Sequence, residues 1–434
     1  MELWLLLILL VLFSYFLSKR TVANINPAQT ANQPSASGET VTPPPRESNL
    51  RPITKQEETG LRNCFPWGVY YLQQLEYRPQ AVLCRGQLRT NPDAAYQTVR
   101  ENIEAQFGDR FFVIFQESFS GKPFFALVPN PYTKKESKSA GEPLTQPGLA
   151  LALLIVTLFT TTMMGATEIA GFPREQLQSN PALLLQGLPY AIALMAILST
   201  HELGHYLVAI YYKMRTTLPY FIPIPFFLGT FGAFISMRSP VPNRKALFDV
   251  AIAGPLAGLV VTIPVLLWGL AHSGVVPLSD ASGMLNLESL DPRFSFLLTL
   301  LSKLGLGSEF TKEMAIKLHP VAVAGYVGLI VTAFNLIPVG QLDGGHIVHA
   351  MFGQKTGAAI GQITRILILL LGIVEKDLLL WAIILILMPV ADEPALNDVS
   401  ELNNWRDLAG LVTLAILVVI LLPVPGTIAG LLQI

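Results

Sequence analysis

The chain is poor in charge and in cysteine for its length of 434 residues. Charged residues make up only 14% of it, against roughly 25% in a typical soluble protein. This composition excludes an ordinary soluble enzyme, and the near balance of 29 basic and 30 acidic residues excludes a nucleic-acid binder that depends on overall basicity. The presence of only two cysteines excludes a disulfide-stapled secreted scaffold. Disorder throughout is excluded because 51% of the residues are hydrophobic.

What the chain has instead is a series of long apolar stretches after about residue 147. A bilayer-spanning helix needs about 20 such residues. We expect spans near 147–171, 181–212, 246–271, 320–339 and 408–424, and a hairpin of two helices from about 357 to 390. Glu375, Lys376 and Asp377 interrupt that hairpin, and charges at mid-membrane are costly. The predicted fold class is an all-α polytopic membrane protein of about eight transmembrane segments, with a small soluble α+β domain and a membrane-dipping hairpin.

The first 130 residues divide into three parts. Residues 1–20 hold an apolar run followed by Lys19 and Arg20, which predicts an uncleaved N-terminal membrane anchor. Residues 21–58 are rich in Asn, Gln, Ser, Thr and Pro, which is typical of a flexible linker. In residues 59–130, strands are predicted at 81–84, 111–115 and 124–128, with a helix capped by Asn91 between the first two. This part is the predicted soluble α+β domain.

Basic residues orient the predicted spans. They cluster before the span at 147, after the span 181–212 and before the span at 246, namely at Lys134, Lys135, Lys138, Lys213, Arg215, Arg238, Arg244 and Lys245. Because cytoplasmic loops carry an excess of Lys and Arg, we expect these residues and the domain 59–130 to lie in the cytoplasm.

The span 181–212 contains the motif His201-Glu202-Leu203-Gly204-His205. On a helix, residues four apart share a face about 6 Å apart along the axis, so each imidazole can give one nitrogen to a zinc ion. Glu202 could then act as the general base towards a zinc-bound water, whose pKa the metal lowers. The same motif occurs by chance in soluble helices, but at membrane depth two histidines and a glutamate are costly unless they have a function.

A catalytic zinc needs a third protein ligand and one open position. Asp343 closes a later apolar stretch, where Pro338, Gly340, Gly344 and Gly345 would break a helix. Irregular backbone at membrane depth is tolerated only inside protein or beside a water-filled cavity. The alternative is an aspartate that caps a helix at the membrane surface. Together with His201 and His205, the pattern favours Asp343 as a metal ligand.

These motifs resemble those of the site-2 protease family of intramembrane zinc metalloproteases. The resemblance rests on His201-Glu202-x-x-His205 and Asn335-x-x-Pro338-x-x-x-Leu342-Asp343-Gly344. It is closest to the plastid and cyanobacterial branch, the ethylene-dependent gravitropism-deficient and yellow-green proteins, through Gly232–Ser236, Ala253–Gly258, Thr332–Pro338 and Leu396–Val399. That branch carries a Gly-Asn-Leu-Arg motif, where this chain has Gly86-Gln87-Leu88-Arg89, so the role of this motif is left open.

The resemblance implies an intramembrane metalloprotease domain at 147–424. It implies one zinc ion per chain at His201, His205 and Asp343, with Glu202 as the catalytic base. It also implies hydrolysis of a peptide bond within or beside a transmembrane segment of a membrane-anchored protein substrate. The expected partners are such substrates and the lipid bilayer, with no nucleic acid.

Four further features carry weaker signals. Asn335 would support the substrate or the transition state through its amide, or else pack between helices. Residues 217–242, broken by Pro and Gly, predict a membrane-dipping hairpin that pairs with an unwound substrate strand, or else a surface loop. His346 and His349 are expected to make polar contacts near the site rather than to bind the metal. Asp249, near the start of an apolar helix, is expected to cap it.

Two rival functions fit parts of this pattern. A transporter could line a path with intramembrane His and Asp, although no repeated half-structure is visible. A non-catalytic scaffold could keep a structural zinc, although all three ligands and the base are present. For the protease we expect a multi-pass membrane protein with its active site towards the cytoplasm. The lack of a transit-peptide signature favours a cyanobacterial inner or thylakoid membrane.

Overall fold

The structure is a computed structural model that describes most of the chain after residue 51. The described residues are 52–118, 120–131, 146–279, 290–307, 310–311, 313–374, 379–390 and 392–432. The predicted anchor 1–20, the predicted linker up to residue 51, and the charged residues Lys134, Lys135, Lys138, Glu375, Lys376 and Asp377 lie outside them.

A four-stranded antiparallel sheet with two helices forms the N-terminal part, residues 52–131, which we call the α/β unit. In chain order its elements are α1 (Lys55–Asn63), β1 (Tyr70–Arg78), β2 (Ala81–Leu88), α2 (Pro92–Phe107), β3 (Phe111–Glu117) and β4 (Pro123–Pro129). The strand order is β1-β2-β4-β3, so β1 and β3 are the edges. Apolar side chains of the sheet and of α2 build its core, in which Cys64 and Cys84 are buried free thiols.

The sequence predicted three of the four strands and the helix α2. Asn91 caps α2 as predicted, because its side chain accepts a hydrogen bond from the backbone N–H of Asp93 at 2.9 Å. Helix α1 was not predicted; it begins within the last residues of the predicted linker, where Thr54 and Glu57 form a reciprocal capping box. Strand β1 was also missed.

Helices dominate the rest of the described chain. They are α3 (Pro147–Met164, continued by a π-turn at Gly165–Ile169), α4 (Arg174–Ser179), α5 (Leu188–Tyr211), α6 (Arg244–Ala271), α7 (Phe296–Leu306), α8 (Pro320–Leu336), α9 (Asp343–Phe352), α10 (Gln354–Val374), α11 (Leu379–Leu387), α12 (Asn404–Leu421) and α13 (Gly426–Leu432). Two short antiparallel pairs lie between them: β5 (Tyr220–Pro223) with β6 (Thr230–Phe234), and β7 (Gly274–Pro277) with β8 (Met314–Lys317).

Five helices among the described residues are long and apolar enough to cross a membrane: Pro147–Ile169, Pro181–Tyr211, Arg244–Ala271, Gln354–Ile373 and Asn404–Leu421. The shorter apolar helices α7 and α8 come in addition. These bounds follow the predicted spans closely, but the described residues do not reach the predicted total of about eight. Large apolar side chains remain exposed on the outer faces of α3, α10 and α12, as lipid contact requires, for example Ile155, Phe159, Leu367, Leu370 and Leu411.

The predicted apolar hairpin is present as α10 and α11, which flank residues 375–378. Arg365 lies within α10 but is only 5% exposed. Its guanidinium donates hydrogen bonds to the carbonyls of Met388 at 3.0 Å and Pro389 at 2.7 Å, directly after α11. A charge in an apolar helix is thus paired with backbone carbonyls that a helix end leaves without partners.

The region 217–242 contains the predicted hairpin, formed by β5 and β6. Its turn packs against α3: Thr160 donates a hydrogen bond to the carbonyl of Gly229 at 2.7 Å. Gly229 has a positive φ of 81°, and a Cβ there would lie 2.5 Å from the Cα of Thr161. Only glycine fits this close approach, so the hairpin is fixed against the helix at its turn.

Asp249 does not cap α6, contrary to the prediction. Asn243 caps this helix, because its side chain accepts a hydrogen bond from the backbone N–H of Ala246 at 2.8 Å. Asp249 instead forms a salt bridge with Arg406 on α12 at 2.6 Å and accepts a hydrogen bond from Tyr212. It therefore ties three separate parts of the helical region together.

A segment near the C-terminus completes the α/β unit. Residues 392–400, which we call the bridging segment, run along the edge strand β3: the backbone N–H of Phe115 donates to the carbonyl of Leu396 at 2.7 Å, and that of Asp398 donates to the carbonyl of Phe115 at 2.9 Å. Val399 is buried in the core of the unit. The α/β unit is therefore built from two distant parts of the sequence.

Candidate metal centre

Helix α5 presents His201, Glu202 and His205 to the interior of the helical region. All three are buried, with 4%, 8% and 8% of their surface exposed. The helix packs against α6 and α8. Because the two histidines are one turn apart, their rings lie on one face, as the sequence predicted.

A hydrogen bond from Nδ1 of His205 determines which nitrogen of its ring is free to bind a metal. Its Nδ1 donates a hydrogen bond to the backbone carbonyl of Val250 on α6 at 2.8 Å. In a neutral imidazole this leaves Nε2 unprotonated and available to bind a metal, the arrangement commonly found for histidine ligands. Close packing on α6 makes the contact possible, since a Cβ on Gly254 would lie 2.1 Å from His205 Nε2.

Asp343 is the first residue of α9 and faces the two histidines. The N-cap position belongs to Leu342, so Asp343 is not the capping residue of this helix. Glycine allows the start of α9 to press against the end of α8: a Cβ on Gly344 would lie 2.0 Å from the carbonyl oxygen of Leu336. The break predicted between the two helices thus carries Asp343 back into the interior.

The three side chains form a compact triangle. The two Nε2 atoms of His201 and His205 are 3.2 Å apart, and Asp343 Oδ2 lies 3.4 Å and 3.3 Å from them. Two ligands about 2.0–2.1 Å from a tetrahedral zinc ion are about 3.3 Å apart. The triangle therefore has the edges of a tetrahedral site with three protein ligands, and these residues are a group that could hold a metal ion.

Glu202 lies beside this triangle on the same helix. Its carboxylate lies close to the backbone N–H of Ile235, the residue that follows β6. The candidate base is therefore in contact with the hairpin as well as next to the histidines. This contact between Glu202 and the hairpin could not be predicted from the sequence, because Ile235 takes part through its backbone.

Asn335 lies at the edge of the same site. Its Nδ2 is 3.4 Å from His201 Nε2, and it is the penultimate residue of α8. The structure thus brings together all five residues singled out from the sequence: His201, Glu202, His205, Asn335 and Asp343.

His346 and His349 lie outside the triangle. Both donate from Nδ1 to Asp392 Oδ2, at 2.6 Å and 2.9 Å, and His349 Nε2 donates to Asp398 Oδ1 at 2.9 Å. These are polar contacts, as expected from the sequence. The two aspartates were missed as functional candidates, although the resemblance included the stretch Leu396–Val399, because nothing in their sequence position links them to α9.

The motif Gly86-Gln87-Leu88-Arg89 lies at the end of β2 in the α/β unit. A Cβ on Gly86 would lie 2.2 Å from the backbone oxygen of Tyr71. The Arg89 guanidinium lies 5.5 Å from the ring centre of Trp67 and 5.8 Å from that of Tyr71. The motif is thus packed within the unit, and the described contacts do not place it at the candidate metal centre.

Comparison with known proteins confirms the family resemblance. Residues 189–374 match Peptidase family M50. The chain is 30% identical over 371 residues to a rice protein (Oryza sativa subsp. japonica) named probable zinc metalloprotease EGY1, chloroplastic, covering 79% of this chain and 63% of the relative. The Arabidopsis thaliana protein of the same name is 30% identical over 370 residues, covering 80% and 66%.

A further relative is the probable zinc metalloprotease EGY2, chloroplastic, of Arabidopsis thaliana. It is 28% identical over 371 residues, covering 84% of this chain and 64% of the relative. The chain thus spans slightly less than two thirds of the length of these relatives.

Proposed function

Because residues 189–374 match Peptidase family M50, we propose that this chain is a zinc metalloprotease of the site-2 protease type. It cleaves a peptide bond within or beside a transmembrane segment of a membrane-anchored protein. The observation that carries the proposal is the triangle of His201, His205 and Asp343, with edges of 3.2–3.4 Å, beside the buried Glu202. The names of the relatives, which are zinc metalloproteases, favour zinc as the metal.

Each residue of the site has a part in this chemistry. His201, His205 and Asp343 hold the metal, and a zinc ion there would polarise the scissile carbonyl and acidify a water molecule. Glu202 takes a proton from the attacking water and passes it to the leaving amine as the C–N bond breaks. The amide of Asn335 can donate a hydrogen bond to the oxygen on which negative charge develops.

The hairpin β5–β6 is the proposed place for the substrate. Among the described residues β6 pairs only with β5, and Ile235 at its end contacts Glu202. An extended substrate segment that adds to the other side of β6 would bring its peptide bonds close to the base. A helical substrate must unwind for this, because an intact helix hides its carbonyls, so we expect spans weakened by Gly, Pro or Asn to be cleaved faster.

The site is proposed to open towards the cytoplasm. Basic residues flank the ends of α5 and α6 near the α/β unit, and Lys245 forms a salt bridge with Asp93 of that unit at 3.0 Å. An excess of basic residues marks the cytoplasmic side of membrane proteins. Maleimide labelling of Lys122→Cys only after permeabilisation of the cell would support the orientation, and labelling of intact cells would contradict it.

The relatives named above are chloroplastic, and for this chain we propose a cyanobacterial inner or thylakoid membrane.

The catalytic assignment is tested with Glu202→Gln and the wild type, purified in detergent. We expect about one zinc per chain in both, and a loss of cleavage of single-span model substrates by about 10²–10⁴-fold in the variant. The matched control is Glu168→Gln, which changes an exposed glutamate in the π-turn that continues α3. This variant should cleave the substrates normally. Undiminished cleavage by Glu202→Gln would contradict the role of the base. The absence of zinc from the wild type would contradict the site as a whole.

A further inference from the structure

A second cluster of histidine and aspartate lies on α9, outside the candidate metal centre. It consists of His346 and His349 on the helix and of Asp392 and Asp398 on the bridging segment. Their side chains are 18%, 2%, 8% and 7% exposed, so four ionisable groups are removed from water together. The chemistry proposed above uses none of them. Burying such groups is unfavourable unless they are paired, so their arrangement calls for an explanation.

The contacts of His349 are the most specific in this cluster. Its Nδ1 donates to Asp392 at 2.9 Å and its Nε2 donates to Asp398 at 2.9 Å. Because both ring nitrogens donate, the ring is protonated and cannot bind a metal in this arrangement. Charge-assisted hydrogen bonds of this length are the strong kind, and two of them on opposite sides fix the plane of the ring.

The same contacts fix the helix that carries Asp343. Asp343 and His349 lie on one ten-residue helix, α9. At its far end the guanidinium of Arg244 donates to the carbonyl of Ala350 at 2.7 Å. A helix this short moves as a rigid piece, so a rotation or shift at His349 displaces the carboxylate of Asp343 as well. A metal site tolerates such displacement poorly, because ligand distances must hold within about 0.2 Å.

The bridging segment links the cluster to the α/β unit. The backbone of Leu396 to Asp398 pairs with Phe115 of β3 on one side and with residues 241–243 before α6 on the other. Asp398, which contacts His349, donates its own backbone N–H to the carbonyl of Phe115. A continuous set of hydrogen bonds therefore runs from the sheet through Asp398 and His349 to the helix of Asp343.

We propose that His349 is a positioning residue, through which the bridging segment and the α/β unit hold Asp343 in place for the metal. The proposal rests on the proposed metal centre but concerns residues that do not touch the metal. The α/β unit would then influence the geometry of the metal centre. A movement of the sheet that displaces the bridging segment also displaces Asp343, the third ligand.

The test measures metal binding by the full-length chain in detergent. Zinc affinity is determined by competition with a chelator for the wild type, His349→Gln and Asp398→Asn. Loss of a residue that orients a ligand typically weakens metal binding about 10–100-fold, and we expect about 10-fold for His349→Gln and a smaller loss for Asp398→Asn. Asp398→Asn also serves as the second variant if His349→Gln does not fold.

Two further measurements separate positioning from a general loss of stability. The matched control Asp291→Asn removes a partly buried carboxylate that forms a salt bridge with Arg293 at 2.8 Å, just before α7, and it should lower the unfolding temperature without weakening zinc binding. Cobalt(II) bound in place of zinc reports ligand geometry, and its visible spectrum should change in His349→Gln and not in Asp291→Asn. Zinc affinity and cobalt spectrum unchanged in His349→Gln would overturn the proposal, whereas a wild type without zinc would overturn the proposed function instead.

Discussion

Two pairs of histidines on neighbouring helices each face aspartate, yet they have different chemistry. In the candidate metal centre, the atoms of His201, His205 and Asp343 are 3.2–3.4 Å apart. In the cluster on α9, the distances from His346 and His349 to the aspartates are 2.6–2.9 Å. The first set is too long for strong charge-assisted hydrogen bonds and has the edges of a tetrahedral metal site. The second set is satisfied within the protein.

The difference lies in what occupies the second nitrogen of each ring. His205 gives its Nδ1 hydrogen to a backbone carbonyl, which leaves a lone pair on Nε2 for a metal. His349 gives both of its hydrogens to carboxylates and keeps no lone pair. Residue type alone therefore does not distinguish a metal site from a hydrogen-bonded network; the partner of each nitrogen does.

The largest expected difference between the two pairs is in metal content. His205→Ala should lose bound zinc, because it removes one of the three ligands. Its loss of zinc affinity should far exceed the roughly 10–100-fold loss expected when a residue that orients a ligand is removed. His346→Ala should keep about one zinc per chain after purification and dialysis. Metal analysis of both purified variants decides the matter. Loss of zinc from His346→Ala with retention in His205→Ala would reverse the assignment of the two pairs.

A smaller effect is expected from substitutions that crowd His201 or His205, the histidine pair of the candidate metal centre. A Cβ on Gly254 would lie 2.1 Å from His205 Nε2, whereas a Cβ on Gly258 would lie 3.2 Å from the Cβ of His201. Gly254→Ala should therefore displace the ring of His205 and cost about 1–3 kcal/mol or more in stability, with loss of zinc affinity. Gly258→Ala, one turn along the same helix, requires a shift of only a few tenths of an ångström.

Zinc titration and thermal unfolding in detergent compare these two glycine variants. Equal zinc affinity in both would show that the contact between α6 and the ring of His205 is not needed to form the site.

The smallest expected effect is a pH dependence that belongs to the hydrogen-bonded pair. Burial lowers the pKa of His349, but the hydrogen bonds with Asp392 and Asp398 outweigh it and raise this pKa to about 9. A group whose pKa is higher in the folded state stabilises it fully below its ordinary pKa, about 6.5, and this stabilisation is lost as pH rises through about 9. The unfolding temperature of the metal-free protein should thus fall by a few degrees over this range.

His349→Gln removes the titrating group and is the comparison for this pH profile. Its unfolding temperature should be lower at pH 6.5 and should change less between pH 6.5 and 9. Parallel profiles for the wild type and the variant would show that His349 does not carry the charge assigned to it.

Much of the helical region could be predicted from the sequence, because a membrane span needs a long apolar run and few other structures produce one. The candidate spans Pro147–Ile169, Pro181–Tyr211 and Arg244–Ala271 begin and end within a few residues of the predicted spans. Helix α7 was missed, since its eleven residues are too short for this signal. Strand β1 was missed for a different reason: as an edge strand with Gln73, Gln74 and Glu76 and a bulge between Leu72 and Gln74, it has no regular alternation.

The residues of the candidate metal centre could be predicted in part because two of them lie close together in the sequence. His201 and His205 are one turn apart on a helix, so the sequence alone places them on one face. The contacts of His349 with Asp392 and Asp398 could not be predicted in the same way, because they join residues 43 and 49 positions apart across a chain reversal. Backbone partners such as Val250 and Ile235 carry no signal in residue type at all.

The two-part construction of the α/β unit has a consequence for how the protein is made. Its sheet is synthesised early, but Leu396 and Val399, which cover the edge of β3 and fill part of the core, emerge only after the helices α3 to α11. At about 5–20 residues per second, a ribosome takes on the order of tens of seconds to cover that distance. During this interval the nascent chain carries an uncovered strand, and the unit is completed only when most of the membrane region has left the ribosome.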